Sequence, residues 1–423
     1  MSDLDVSRGG MAKLDRVDGA LTVGNRARLE STSGKIMVTG SAYFEGDARI
    51  NCDFECNSLK VGQSARHGGS LKVNGNLVVH NKLEVSRSLN VEKELRAEEI
   101  DVAGRIEADT LVCKRVKVGG VLTVKTRLES SELVDVGWKA EIPGTVKLHD
   151  LAVGGLADIG GGSISGTIEA RMKFNSRLEL EFGELRVFGK ATLPANCKGR
   201  KISTFGKLLV DGNISCEEIQ IEGVTEVQGN CESSRIEVNG KLEVSGSLSA
   251  TDKIEIHGST NIVDELRGAS LQVAGKLATS KIIISGETNI MGVVETKQGL
   301  KAKSIVIGSG SRCEGPLVGE QRVEVGKSEM NVMAWGTKWA GQRITMRMIG
   351  RPTRVQDVYG TFVYLREFTT AARVFAQNVE LEKGCLVDQI LYSGEVKMPG
   401  DDKKCVYINH MPEKVEKLPS PPL

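Results

Sequence analysis

The sequence predicts an all-β fold, a parallel β-helix (β-solenoid) in which short strands stack turn upon turn. Three observations favour it. Glycine supplies 49 of 423 residues, aromatic residues make up only 4% of the chain, and aliphatic-x-aliphatic units recur every five or six residues. This composition argues against an ordinary α/β enzyme with a bulky core, and a hydrophobic share of 40% excludes global disorder.

The repeat is clearest between residues 71 and 128. Its units begin at Leu71, Leu77, Leu83, Leu89, Leu95, Ile100, Ile106, Leu111, Val116, Leu122 and Leu128. Alternation with period two places both apolar residues of a unit on one side of a short strand, whereas a helix would scatter them around its circumference. Antiparallel hairpins would need longer strands and tight Asn-Gly turns. Three units form one turn of roughly 17 residues, which places Leu71 directly below Leu89.

The bends between units are rich in glycine. Gly75, Gly104, Gly119 and Gly120 all fall between strand units. A bend between two faces of a β-helix needs either a positive φ or a close approach of two backbones, and glycine permits both. The glycine excess therefore has the same cause as the strand repeat.

The repeat divides the chain into segments. We predict a flexible N-terminal segment at 1–19, a first solenoid lobe at 20–194 and a second lobe at 195–328, with the break at the polar run 194–201. Residues 329–400 combine an aromatic-rich insertion with final coils that cap the solenoid, and 401–423 form a charged, proline-containing mobile tail. The predicted assembly or cap contacts are Trp335, Trp339, Phe362, Tyr364 and Phe368.

The run Leu71-Lys72-Val73-Asn74-Gly75-Asn76-Leu77-Val78-Val79, followed by further L-x-V units, resembles the bactofilins and related polymer-forming cytoskeletal proteins. The resemblance spans about 20–325 and 370–398. It implies a right-handed, three-sided β-helix that assembles end to end without nucleotide and serves as a scaffold near the membrane. Two departures from the family pattern, a solenoid that runs nearly throughout and the aromatic insertion, leave a filament, a dimer, a monomer and a regulator of filaments open.

We therefore expect a non-catalytic structural scaffold that self-associates through its ends or sides and needs no cofactor or metal. Lys and Arg number 56 against 55 Asp and Glu, so no bulk field favours nucleic acid, and none is expected as a partner. Membrane-associated or cell-envelope partners fit the resemblance. The first residues lack an apolar segment and the nine cysteines do not suggest a disulfide framework, which indicates a cytoplasmic protein, with any membrane association through partners.

The alternative is a β-helix enzyme acting on carbohydrate or on an acyl-transfer substrate. His67 and His257 are the candidate histidines, but we interpret both as solvated corner residues, since no acid or nucleophile accompanies them. Asp150, Asp158 and Glu169 are the acids to examine first, and outward charges of this kind usually form solubilising ladders.

Other chemical patterns also have simpler structural interpretations. Cys52 and Cys56 form a C-x₃-C pair without a second close pair, while Cys113, Cys216 and Cys385 fall at inward positions, so core packing is preferred to zinc. Gly154-Gly155 and Gly160-Gly161-Gly162 lack the lysine of a phosphate-binding loop, and corners explain them better. The section with Trp339, Arg343, Arg347, Arg351 and Arg354 could contact nucleic acid or lipid, but a cap with solvated charges is preferred.

Overall fold

The structure, a computed structural model, describes residues 3–327, 329–333, 343–347, 352–399 and 407–422. All helix or strand structure in these ranges consists of β-strands, and the predicted all-β class is therefore confirmed. Contacts divide the chain into two compact units, Met1–Asp211 and Gly212–Leu423. Among the described residues, no helix has the length and apolar character needed to cross a membrane.

The first unit is built from short strands separated by one to a few corner residues. In chain order they are β1 (Leu4–Val6), β2 (Met11–Lys13), β3 (Arg16–Val17), β4 (Leu21–Val23), β5 (Arg28–Glu30), β6 (Lys35–Phe44), β7 (Ala48–Ile50), β8 (Asp53–Val61), β9 (Ala65–His67), β10 (Leu71–Val73), β11 (Leu77–Val79), β12 (Lys82–Val85), β13 (Ser88–Arg96), β14 (Glu99–Val102), β15 (Arg105–Cys113), β16 (Arg115–Val118), β17 (Val121–Val136), β18 (Lys139–Val153), β19 (Leu156–Ala170), β20 (Lys173–Ser176), β21 (Leu180–Val187), β22 (Lys190–Pro194), β23 (Cys197–Thr204) and β24 (Lys207–Asp211).

The second unit continues with strands of the same kind. They are β25 (Ile214–Ile221), β26 (Val224–Val227), β27 (Cys231–Val238), β28 (Lys241–Val244), β29 (Leu248–Ile256), β30 (Ser259–Ile262), β31 (Glu265–Val273), β32 (Lys276–Ile284), β33 (Glu287–Ile290), β34 (Val293–Gly308), β35 (Arg312–Glu314), β36 (Leu317–Lys327), β37 (Glu329–Met333), β38 (Arg343–Arg347), β39 (Thr353–Leu365), β40 (Thr369–Leu381), β41 (Leu386–Tyr392), β42 (Val396–Lys397), β43 (Tyr407–Ile408) and β44 (Glu413–Lys414). β37 and β38 form a separate antiparallel pair.

In both units, strands of the stack pair in parallel with the strand one turn later. Leu71 on β10 pairs with Leu89 on β13, which confirms the predicted stacking. The next two strands, β11 and β12, pair in the same way with strands of the following turn, so one turn has three faces. We call them face A, face B and face C, which hold β10, β11 and β12 respectively.

Inward side chains form continuous aliphatic columns along each face. On face B of the first unit, one column contains Leu4, Leu21, Ala42, Leu59, Leu77, Leu95, Leu111, Leu128 and Val146. From Leu21 to Val146 its members are at most 3% exposed. Burying a leucine side chain contributes about 1.5–3 kcal/mol, so these columns supply the main favourable free energy of the fold.

Corner glycines are required because successive turns approach closely there. A Cβ on Gly104 would lie 2.0 Å from the backbone oxygen of Arg87, one turn earlier. Most such glycines have ordinary φ values, so the close approach explains them. Gly162, with φ of 129°, is a position where the backbone angle itself favours glycine.

Outward side chains form ion pairs between turns. Lys35 and Lys72 contact Glu55 at 2.7 and 2.9 Å, and these two hydrogen bonds lower the pKa of Glu55. Exposed pairs of this kind contribute at most about 1 kcal/mol each. The stack is therefore stabilised mainly from inside, while the charges keep its surface hydrated.

The polar run at 194–201 contains an ordinary corner and the start of the next strand. β22 ends at Pro194, Asn196 turns the chain with φ of 62°, and β23 begins with the buried Cys197. Because asparagine tolerates this left-handed conformation, the stack continues where the sequence suggested a break. The division into compact units instead falls after Asp211.

The described aromatic residues near the C-terminus do not form the predicted cap. β39, which carries Phe362 and Tyr364, pairs with β36 on one edge and β40 on the other, so it lies inside the stack. The aromatic side chains alternate with the buried Val363 and Leu365 and therefore point outward. Trp335 and Trp339 lie outside the described residues.

Part of the predicted tail also joins the stack. β43 and β44 both pair in parallel with β41. Around them lie Pro412, Pro419, Pro421 and Pro422. Proline cannot donate a backbone hydrogen bond, so this segment is poorly suited to accept a further strand.

Candidate assembly surfaces

Within the described residues, each strand of the N-terminal turn of the first unit is paired along one edge only. β1, β2 and β3 pair with β4, β5 and β6 respectively, and within the described ranges these are their only strand partners. Each strand therefore presents a row of backbone groups that can pair with another chain. These strands lie in the segment 1–19, for which flexibility was expected. The unit Leu4-Asp5-Val6 carries the L-x-V signal that could have located the first of them.

Within the described residues, the apolar interior is less covered at the same turn. Leu4 ends the face B column and is 36% exposed, whereas the next member, Leu21, is 1% exposed. Leu4 has a neighbour on one side only, because no described turn precedes it. A second chain placed here would bury Leu4 and continue both the column and the hydrogen-bond ladder.

Asp15 fastens this first turn to the second. Its carboxylate accepts hydrogen bonds from the Thr32 amide at 2.8 Å, the Ser33 amide at 3.1 Å and the hydroxyls of Ser31 and Thr32. These bonds, led by those from the two hydroxyls, hold the pKa of Asp15 well below its usual range. The open edge is thus part of an ordered turn.

Two of the predicted contact residues share a surface groove in the second unit. Phe362 and Tyr364 lie on β39, and the groove of about 180 Å³ is completed by polar residues of β40 and β42, including Glu380 and Lys397. Phe362 is 43% exposed. The groove combines an exposed ring with both signs of charge, which suits a protein surface better than an apolar ligand.

Charged residues hold Tyr364 in place. The guanidinium groups of Arg322 and Arg366 lie 4.8 and 5.8 Å from the centre of its ring. Arg366 also donates to Glu324 at 3.0 Å and to Glu382 at 2.6 Å, so the buried Glu324 carboxylate has a positively charged partner. This network fixes one wall of the groove.

Phe368 does not contribute to the groove. It lies at the corner after β39 with φ of 58°, and its ring packs over Gly384. In the basic section, Arg354 is exposed on β39 beside Arg312. Trp339 and Arg351 lie outside the described residues, and only the backbone positions of Arg343 and Arg347 on β38 are described.

The expectation that His67 is a solvated corner residue is wrong. Its side chain points inward at the end of β9 and is 2% exposed, between Ile50 and Val85 of the adjacent turns. His67 Nε2 donates to the backbone oxygen of Ser70 at 2.9 Å, whereas the buried Nδ1 has no partner among the described residues. Burial lowers the pKa of His67 and outweighs the opposing effects of the Ser70 carbonyl and of Asp53.

This burial predicts a pH-dependent stability. The folded pKa of His67 is below the unfolded one, so as the pH falls below about 6.5 the unfolded chain takes up a proton first. We expect the free energy of unfolding to decrease by up to about 1.4 kcal/mol per pH unit from this group. Urea unfolding of wild type and His67→Leu between pH 5 and 8 measures it. The wild type should lose stability relative to the variant on acidification; parallel profiles would contradict the prediction, and exposed His149→Leu is the control.

His257 also differs from a fully solvated corner residue. Its side chain is half-buried, and its Nε2 is enclosed without a partner among the described residues. It lies on the second unit, whereas His67 lies on the first. The two histidines therefore do not share a site within either unit.

The three candidate acids lie on different parts of the first unit. Asp158 is on face A, where Arg177 binds it through two hydrogen bonds, and Glu169 is on face C beside Arg171. Asp150 lies at the corner before face C and accepts a hydrogen bond from the Thr167 amide at 2.6 Å. The fold does not bring these carboxylates together, and each has a structural partner.

The cysteines occupy the core positions predicted for them. Cys113, Cys216 and Cys385 are all buried, as is Cys56, while Cys52 is half-buried. Burial raises the pKa of Cys56 and of Cys113 to about 12, so both thiols are protonated at neutral pH. Across the described part of the chain, no group of three or more His, Cys, Asp or Glu side chains is placed to hold a metal ion.

No family model matches the chain, and no curated protein or solved structure matches it.

Proposed function

We propose that this protein is a non-catalytic structural scaffold, a bactofilin-like cytoskeletal protein that self-associates without nucleotide. The observation that carries the proposal is the open N-terminal turn, where three strand edges and the exposed Leu4 meet. Pairing of these strand edges with a second chain would satisfy backbone groups and bury apolar surface in one step. No bound nucleotide is needed for either gain.

The two chain ends favour different roles in such an assembly. The first turn offers strand edges and an apolar column, whereas the last described strands are flanked by prolines. We therefore place the primary contact at the N-terminal turn. The groove beside Phe362 and Tyr364 is a secondary, lateral contact surface.

Sedimentation velocity of the full chain, without nucleotide, tests the proposal. We expect the sedimentation coefficient to rise with concentration as chains associate. A single monomeric species up to about 100 μM would refute it, because that concentration would reveal even association with a dissociation constant of about 100 μM.

A further inference from the structure

A stripe of exposed apolar side chains runs along one corner of the first unit. It consists of Trp138, Met172, Phe188 and Phe205, here called the apolar ridge, which are 55%, 52%, 46% and 53% exposed. All four lie at the corner between face C and face A. The ridge extends over five successive turns, about 19 Å at 4.8 Å per turn.

The ridge is ordered. The rings of Phe188 and Phe205 stack with centroids 5.3 Å apart and an angle of 7° between their planes. Trp138 lies over Gly155 of the next turn, where a Cβ would approach the indole to 3.3 Å. Backbone hydrogen bonds link the turns beneath it, such as that from the Lys190 amide to the Met172 carbonyl at 2.9 Å.

Lysines stand in register beside the apolar ridge. Lys173, Lys190 and Lys207 occupy the first position of face A on three successive turns and are exposed; we call them the lysine column. Like charges directly opposite one another on paired strands repel. Their positions therefore favour an anionic partner.

The surroundings of Lys173 and Lys190 leave the charge of these two lysines available. Neither Lys173 nor Lys190 forms an ion pair with a described residue, and the outward neighbours two positions later are Asn175 and Thr192. Asp158, which lies near Lys173, is held by Arg177 at 3.0 Å. Lys173 and Lys190 thus add local positive charge to a chain whose net charge is only +1.

We propose that the apolar ridge and the lysine column dock the protein onto an anionic lipid bilayer. Tryptophan, phenylalanine and methionine side chains on a protruding corner can enter the interfacial region of a bilayer, while adjacent lysines face the anionic headgroups. The two rows are parallel and rigid, so all their members reach a planar surface together. This docking is independent of the open N-terminal turn.

The geometry favours a bilayer over a second copy of the chain and over a single-stranded nucleic acid. Two convex corners from separate copies would touch along a line, whereas a stable interface buries about 1,200–2,000 Å². A single-stranded nucleic acid would stack its bases on exposed ring faces, but Phe188 and Phe205 already use one face each to stack on each other.

Flotation of the full chain with vesicles tests the proposal. The vesicles contain phosphatidylcholine alone or with about 30% phosphatidylglycerol. We expect binding to the anionic vesicles, reduced at least about tenfold in Phe188→Ser/Phe205→Ser and in Lys173→Glu/Lys190→Glu. Leu178→Ser, at another exposed apolar corner, and Arg28→Glu/Arg49→Glu, with the same change of charge, should bind as wild type.

A second readout does not depend on the loss of binding. The chain has three tryptophans, so Trp335→Phe/Trp339→Phe leaves Trp138 as the only one. Its emission should shift to shorter wavelength on addition of anionic vesicles.

Three results would overturn the proposal. One is equal binding to both kinds of vesicle, and another is unchanged binding by the ridge and column variants. The third is absence of binding to the anionic vesicles, after which a dimer, or a complex with single-stranded DNA, that Phe188→Ser/Phe205→Ser abolishes would identify the occupant instead. Leu4→Glu should bind anionic vesicles as wild type does, which separates this site from the proposed assembly contact.

Discussion

Replacing Leu111 with alanine is expected to reduce the free energy of unfolding of the first unit by about 2–5 kcal/mol. Leu111 is 0% exposed and lies between Leu95 and Leu128, one turn away on each side. The alanine leaves a cavity that contacts both neighbours, and the regular backbone cannot collapse into it without breaking the ladder. A domain with about 5–15 kcal/mol of stability would lose a large part of it.

Leu111→Asp should have a larger effect, because it buries a carboxylate without a partner. We expect the first unit to be cleaved by protease where wild type resists. Thr110→Asp is the matched control, since Thr110 points outward on the same strand and pairs with Arg127. It should change the free energy by no more than about 0.5 kcal/mol. Urea unfolding and limited proteolysis measure both. Equal effects of Leu111→Asp and Thr110→Asp would contradict the assigned inward column.

Leu4→Glu is expected to abolish end-to-end association while the fold is retained. In the single chain Leu4 is already 36% exposed, so a carboxylate there remains in water. In a stacked pair the same carboxylate would be enclosed by apolar side chains without a partner. We expect the dissociation constant to rise at least about 100-fold, equivalent to about 2.7 kcal/mol.

Sedimentation velocity of Leu4→Glu and wild type at matched concentrations measures this effect. Leu178→Glu is the control, because Leu178 is 64% exposed but lies at a corner within the stack. It should associate as wild type does. If Leu4→Glu associates as wild type does, the N-terminal turn is not the contact between chains, even if the chain self-associates elsewhere.

Much of the fold could be predicted because inward and outward positions alternate so regularly. The spacing of aliphatic pairs predicted that Leu71 stacks on Leu89 and that Cys113, Cys216 and Cys385 point inward, and the structure confirms both. Each unit is short, so errors in one unit do not propagate to the next. The hand of the coil had no such signal and was implied only by the resemblance to the bactofilins.

His67 shows where this reasoning failed. Its unit, Ala65-Arg66-His67, begins with a small residue and is followed by two glycines, which are features typical of a corner. The register with Ile50 and Val85 places it in the interior instead. Counting one turn forward and one turn back from the histidine would have identified the inward position.

Phe362 and Tyr364 differ from the predicted cap for a related reason. The density of aromatic residues near the C-terminus predicts a cap. In the structure, Phe362 and Tyr364 point outward from a turn within the stack. Conversely, the four residues of the apolar ridge are far apart in the sequence. They become neighbours on the surface only because the turns stack. They are Trp138, Met172, Phe188 and Phe205. A surface built from residues one or two turns apart is visible once the register is known.

Electron microscopy of the full chain with a gold label on its N-terminus, without nucleotide, tests the central proposal most directly. We predict pairs or filaments with labels at the junctions between chains, because the open first turn makes the contact. Labels only on isolated particles at high concentration, or only at free tips of assemblies, would contradict the account.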